Sequence, residues 1–221
     1  MAERPPPPPP LTKGEVAKEY LTAYNSICAL LWLSVFGRVV VILPITGVES
    51  IYEAAGDFTK WTQTVAVLEI LHSAFGLVRS PLPTTILQVA SRILLVWAVV
   101  NQFPAATSTS PFYSSMLIAW SATEVVRYSY FVLNLRGSVP AFMTWLRYNM
   151  FYVLYPVGIT SEAVLVWKAS EAAGEPWKFV GWGVLGLYVP GSYVLYTYMI
   201  AQRRKVMKGK QAERRNRAVT Q

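Results

Sequence analysis

The chain has 221 residues, 53% of them hydrophobic and 14% charged, with a formal net charge of +8. That balance excludes an ordinary soluble domain and suits several membrane-crossing helices. One cysteine, Cys28, and one histidine, His72, exclude an intrachain disulfide, a CxxC metal site and any mechanism that needs two histidines.

Residues 1–18, with the run Pro5 to Pro10, read as a disordered Pro-rich tail. The first apolar run is too long for the core of a signal peptide and lacks a small-residue cleavage site, so it is expected to stay in the membrane as an anchor. Six spans follow from the apolar runs, at residues 20–43, 61–78, 83–101, 111–135, 141–168 and 179–202. Each approaches or exceeds the ~20 residues needed to cross the hydrocarbon core, the second being the shortest and least apolar. Residues 46–60 are expected to form a short interfacial helix.

Eight of the 20 basic residues follow Gln202: Arg203, Arg204, Lys205, Lys208, Lys210, Arg214, Arg215 and Arg217. Beside a span, such a tail faces anionic lipid rather than nucleic acid. Arg4, Lys13, Lys18, Arg79 and Arg136 fall on the same side. Glu49, Glu53, Asp57, Glu171 and Glu175 collect on the other, with Lys60, Lys168 and Lys178. The expectation is therefore an all-α integral membrane protein. A six-transmembrane-helix bundle fills residues 19–202, both termini are cytosolic, and residues 203–221 form a basic tail.

Ionisable groups at bilayer depth cost roughly 2.5–3.5 kcal/mol each on insertion scales, so they turn inward and pair. The spans hold Arg38, Glu69, His72, Arg92, Glu124, Arg127, Arg147 and Glu162. Glu69 and His72 are spaced as helix neighbours, as are Glu124 and Arg127, and either couple can be a purely structural pair. So large a polar load also fits a water-accessible or substrate-lined cavity. Trp61, Trp177, Trp182 and Tyr198 are placed for an interfacial belt, while Tyr128, Tyr148, Tyr152 and Tyr155 lie deeper.

The fifth span poses the sharpest question. Tyr155 and Glu162 are seven residues apart, which returns almost to the same helix face, ~10 Å along a straight axis. Pro156 removes a backbone donor between them, and a kink there would change that separation. An acid and a phenol on one face inside lipid point to proton transfer.

Four segments carry a resemblance. They are Leu68-Glu69-Ile70-Leu71-His72 with Gly76-Leu77-Val78-Arg79-Ser80-Pro81; Gln88-Val89-Ala90-Ser91-Arg92; Trp120-Ser121-Ala122-Thr123-Glu124-Val125-Val126-Arg127-Tyr128; and Tyr155-Pro156-Val157-Gly158-Ile159-Thr160-Ser161-Glu162. In order and spacing the chain resembles, from about residue 20 to 208, the very-long-chain (3R)-3-hydroxyacyl-CoA dehydratases of fatty-acid elongation, also called protein tyrosine phosphatase-like. The resemblance implies six membrane helices with cytosolic termini and residence in the endoplasmic reticulum membrane. It implies dehydration of a long-chain 3-hydroxyacyl-CoA to the trans-2-enoyl-CoA, and other elongation enzymes as partners. It also implies Tyr155 and Glu162 as the catalytic pair. The phosphatase label finds no support in the residues: six positions after Cys28, where a thiol phosphatase needs arginine, stands Ser34.

Such a β-elimination needs a base, a proton donor to the departing hydroxyl and a holder for the charge on the thioester oxygen, but no metal or redox cofactor. Burial makes a carboxylate a stronger base, which favours Glu162 as base and Tyr155 as donor. The reverse assignment stays open. It asks for a large electrostatic push, because tyrosine ionises near ~10. Arg92, Arg127 or Arg147 would supply that push, or would bind the thioester oxygen or the CoA phosphates, with Glu124 and Tyr128 in support. Tyr155 lies ~21 Å along the fifth span, so the pantetheine arm must reach into the bundle. A non-catalytic scaffold for the elongation complex is the alternative, and a small transporter a third reading.

Overall fold

A computed structural model describes residues 12–219, with side chains through residue 209. The expected tail at residues 1–11 lies outside the described residues. Among the described residues the chain is wholly helical. The α-helices are α1 (Lys13–Thr46), α2 (Ile51–Thr64), α3 (Val67–Ala74), α4 (Leu82–Leu94), α5 (Pro104–Thr107), α6 (Pro111–Leu135), α7 (Ala141–Asn149), α8 (Phe151–Ala173) and α9 (Trp177–Val219). A 3₁₀ turn precedes α2, and α4 continues into a π-helical stretch over Leu95–Val100.

α1 opens on a capping box. The Glu15 amide donates to the Thr12 hydroxyl, and the Thr12 amide donates to the Glu15 carboxylate at 2.8 Å. The helix closes at Gly47, whose φ of 80° suits a residue without Cβ. Leu21, Tyr24, Cys28, Trp32, Val35 and Val39 recur at three- and four-residue steps, so one face of α1 is buried. That face packs on α6, which buries Tyr113, Met116, Leu117, Trp120, Glu124 and Tyr128 at the same steps. α6 packs on α8, and α8 on α9, giving a row α1–α6–α8–α9 with α2, α3 and α4 along its flank.

Among the described residues, four stretches are long and apolar enough to cross a membrane: Lys13–Thr46, Leu82–Val100, Ala141–Ala173 and Trp177–Gly209. α6 carries Glu124 and Arg127 and is not among them. Other expectations need correcting. The second span is not one helix: it divides at Val65–Ala66, and α3 has 8 residues, ~12 Å, too short to cross alone. Thr59, Thr62 and Gln63 at the end of α2 are buried. The fifth span divides into α7 and α8 at Met150, while Pro156 sits inside an uninterrupted α8. The first helix starts at Lys13, so residues 13–18, expected in the tail, are helical behind their cap. The basic segment after Gln202 is helical. α9 runs on to Val219, and the residues from 210 hold Lys, Gln, Ala, Glu and Arg, strong helix formers, with neither glycine nor proline.

α8 and α9 form an antiparallel hairpin around Gly174–Pro176. At the turn end, Lys178 pairs with Glu171 at 2.6 Å. At the far end, the Arg203 Nε donates to the Asn149 Oδ1 at 3.0 Å. The helices approach closely at Gly181, where an added Cβ would stand 1.7 Å from the Ser170 Oγ and 2.6 Å from its Cβ. Small residues at such crossings let membrane helices meet. Gly181→Ala is expected to destabilise the hairpin by about 1–3 kcal/mol. A second change, Ser170→Gly, is expected to recover part of the loss, and thermal unfolding in detergent micelles reads both.

Candidate active site

α8 brings two stripes to bear. Gly158 and Ser161 face α6: a Cβ on Gly158 would lie 3.7 Å from that of Ala119, and the Ser161 and Ser115 hydroxyls meet at 2.7 Å. Tyr155 and Ser170 face α9. Glu162 falls between the stripes, at the junction of α6, α8 and α9. Its Oε1 accepts the Trp120 indole N–H at 2.8 Å, and its Oε2 accepts the Tyr188 hydroxyl at 3.2 Å.

The Tyr155 hydroxyl donates to the Ser192 carbonyl at 3.2 Å, and its ring stacks on Tyr196 at 5.6 Å. Tyr188 and Ser192 are one turn apart on α9. The two side chains singled out on α8 therefore meet α9 at neighbouring turns.

Behind Glu162 lies a chain of charged groups. The Arg92 guanidinium lies 4.7 Å from the Trp120 ring and donates to the Glu124 carboxylate. The other Glu124 oxygen accepts from the Arg127 Nε at 2.5 Å. Arg127 then grips Glu69 with two parallel bonds of 3.0 and 2.8 Å, and the Tyr128 hydroxyl donates to the same carboxylate. Arg92–Glu124–Arg127–Glu69 thus alternates in sign from α4 through α6 to α3, each charge meeting its opposite as a low-dielectric interior demands.

Of the residues expected in support, Arg92, Glu124, Arg127 and Tyr128 join this chain, and Arg92 reaches the Glu162 junction through Trp120. Arg147 does not join it. It lies among the rings of Tyr130, Phe131 and Tyr148, at 4.6, 4.7 and 5.8 Å. The expected neighbour pair Glu124–Arg127 forms, but Glu69 and His72 part company. His72 meets the Tyr20 hydroxyl at 2.8 Å and the edge of Tyr24, while Glu69 turns to Arg127. Tyr152 lies on the outer face of α8, its ring 5.4 Å from the Arg203 guanidinium.

Trp120, Tyr188, Ser192 and Glu69 are contacts the sequence reading did not assign. A signal for Tyr188 existed: Glu162 lies 12 residues before Gly174, and Tyr188 lies 12 after Pro176, so a regular hairpin sets them level. Trp120 was signalled by its indole N–H, which needs a partner at mid-helix depth. Among the described residues no group of His, Cys, Asp and Glu is arranged to hold a metal ion.

Residues 63–209 match the family described as "Protein tyrosine phosphatase-like protein, PTPLA". The chain is 46% identical over 200 residues to the "Probable very-long-chain (3R)-3-hydroxyacyl-CoA dehydratase" of Schizosaccharomyces pombe, covering 89% of this chain and 96% of the relative. It is 38% identical over 209 residues to "Very-long-chain (3R)-3-hydroxyacyl-CoA dehydratase PASTICCINO 2" of Arabidopsis thaliana, covering 87% and 94%. It is 33% identical over 209 residues to "Very-long-chain (3R)-3-hydroxyacyl-CoA dehydratase 2" of Homo sapiens, covering 87% and 82%. No solved structure matches the chain.

Proposed function

The chain belongs to the protein tyrosine phosphatase-like (PTPLA) family, and from that footing we propose that it dehydrates very-long-chain (3R)-3-hydroxyacyl-CoA to the trans-2-enoyl-CoA in fatty-acid elongation. The observation that carries this reading is the meeting of Tyr155 and Glu162 with adjacent turns of α9, at a junction that also holds Trp120 and Arg92.

In this mechanism the Glu162 carboxylate takes the proton from the carbon beside the thioester. The C–H electron pair becomes the new C=C bond, and the bond from carbon to the 3-hydroxyl oxygen breaks. Tyr155 gives its proton to that oxygen, which leaves as water, the substrate hydroxyl having replaced the Ser192 carbonyl as its partner. The proton on Glu162 then returns to the tyrosinate, so both groups are restored. Arg92, held by Glu124 and lying over Trp120, is the cation placed to hold the charge on the thioester oxygen.

The same reading keeps six crossings. The four long apolar stretches are joined by α6, whose 25 residues rise ~37 Å, and by α2 and α3 acting together. It places both termini in the cytosol, the protein in the endoplasmic reticulum membrane, and other elongation enzymes beside it. The charge asymmetry of the loops and the basic end of α9 support that orientation.

Turnover of a long-chain (3R)-3-hydroxyacyl-CoA by the purified full chain in detergent tests the proposal. Formation of the trans-2-enoyl-CoA is expected. A folded protein that turns over no chain length would sink the enzyme reading and leave the scaffold.

A further inference from the structure

Glu162 is the base in the mechanism proposed above, and a carboxylate base works only if it is aimed. Its aim is set by two donors from two different helices. Trp120 on α6 holds Oε1, and Trp120 is itself fixed, with the Arg92 guanidinium over its ring and Trp32 meeting it edge-on at 6.5 Å. Tyr188 on α9 holds Oε2. One hydrogen bond leaves a carboxylate free to swivel about its last torsion, whereas two, one on each oxygen, fix its plane. Each oxygen keeps a second lone pair for the substrate proton.

The position of Tyr188 follows from the hairpin. The 2.6 Å pair Lys178–Glu171 and the close approach of Gly181 to Ser170 set the register of α9 on α8 near the turn. The Arg203–Asn149 bond sets it at the far end. Between these ties, Tyr188 stands level with Glu162 and Tyr196 level with Tyr155, whose hydroxyl reaches one turn along α9 to the Ser192 carbonyl. The Tyr188 phenol spans from α9 to the α6–α8 junction and ends there in a hydrogen-bond donor.

We infer that Tyr188 is a positioning residue of the dehydration reaction, orienting the Glu162 carboxylate against Trp120; this rests on the assignment of Glu162 as base. The groups that bear on Glu162 are Arg92 from α4, Glu124 from α6 through its pair with Arg92, Tyr155 on α8 itself, and Tyr188 from α9. Loss of the Tyr188 hydroxyl leaves the carboxylate held on one oxygen only and loosens the aim of the base. Misplacement of a reacting group by about 1 Å costs on the order of 10²-fold in rate.

The test sets Tyr188→Phe beside the wild type and Glu162→Gln, all as the full chain in detergent. Each is assayed for kcat, KM and the melting temperature. The expected result for Tyr188→Phe is kcat lowered toward that 10²-fold with KM and melting temperature unchanged. A kcat that stays at the wild-type value, or that falls only together with the melting temperature, overturns the inference, because a ring that merely packs moves those two together. If Glu162→Gln keeps wild-type turnover, the base assignment fails and the role of Tyr188 falls with it. That outcome is distinct from an inactive Glu162→Gln beside an unaffected Tyr188→Phe, which overturns Tyr188 alone.

Discussion

Glu162→Gln and Tyr155→Phe are each expected to lower kcat about 10²–10⁴-fold, the usual worth of one acid–base group, while the protein stays inserted and folded. The two exchanges are nearly isosteric, and their structural cost is small by comparison. Tyr155→Phe removes one hydrogen bond, to the Ser192 carbonyl at 3.2 Å, and keeps the ring stacked on Tyr196. That carbonyl lies within α9, where the backbone supplies its own donor, so the stability change is about 1 kcal/mol. Glu162→Gln can keep its amide oxygen on the Trp120 indole N–H and donate its NH₂ to the Tyr188 hydroxyl, which turns to accept, at a similar or smaller cost. A loss of activity far larger than the loss of stability assigns these side chains to the chemistry. Turnover of a long-chain 3-hydroxyacyl-CoA beside a detergent melt measures both. Retained turnover in Tyr155→Phe would remove the tyrosine from the mechanism while leaving the dehydratase reading in place.

Glu124→Ala is expected to be the most destabilising single truncation in the bundle, by about 3–5 kcal/mol. The Glu124 side chain is 4% exposed and takes a bond from Arg92 and another from Arg127. Its removal leaves two guanidiniums facing each other across a buried gap, one of them also tied to Glu69. Against a typical total stability of about 5–15 kcal/mol, that loss is large. Arg136→Ala supplies the contrast. Its pair with Glu19 is also two-pronged, at 3.2 and 3.0 Å, but the two side chains are 54% and 48% exposed. Breaking it is expected to cost less than about 1 kcal/mol. Melting temperatures of the two variants in one detergent measure the difference. In a double-mutant cycle, Glu69→Leu with Arg127→Met is expected to cost less than the sum of the two single changes, because the pair leaves no orphaned charge between them. Equal melting temperatures for Glu124→Ala and Arg136→Ala would mean that water reaches the charged chain and screens it.

Activity should follow the same chain to a lesser degree. Arg92 owes its position over Trp120 to Glu124, and Trp120 in turn holds Glu162. A variant of Glu124 that still folds is therefore expected to turn over more slowly than its stability alone accounts for, as the kcat of the residual folded fraction would read.

What the sequence by itself determined is local or compositional. Apolar runs bounded by Gly47, Pro111 and Gly174 yield helices because those residues close or open them. A seven-residue spacing puts Tyr155 and Glu162 on one face, because helix geometry repeats along a single chain. Glu124 and Arg127 pair for the same reason, as neighbours on one helix. Only the tertiary structure decided the partners across helices. Glu69 chose Arg127 over His72, and Glu162 took Trp120 and Tyr188, because a bond between helices depends on register, distance and crossing, and periodicity along one helix carries none of these. It also decided where helices stop inside an apolar run, as at Val65–Ala66, and where one continues into a charged run, as α9 does past Gln202. Hydropathy registers the solvent a segment prefers, whereas the backbone follows the packing of the neighbours that segment finds.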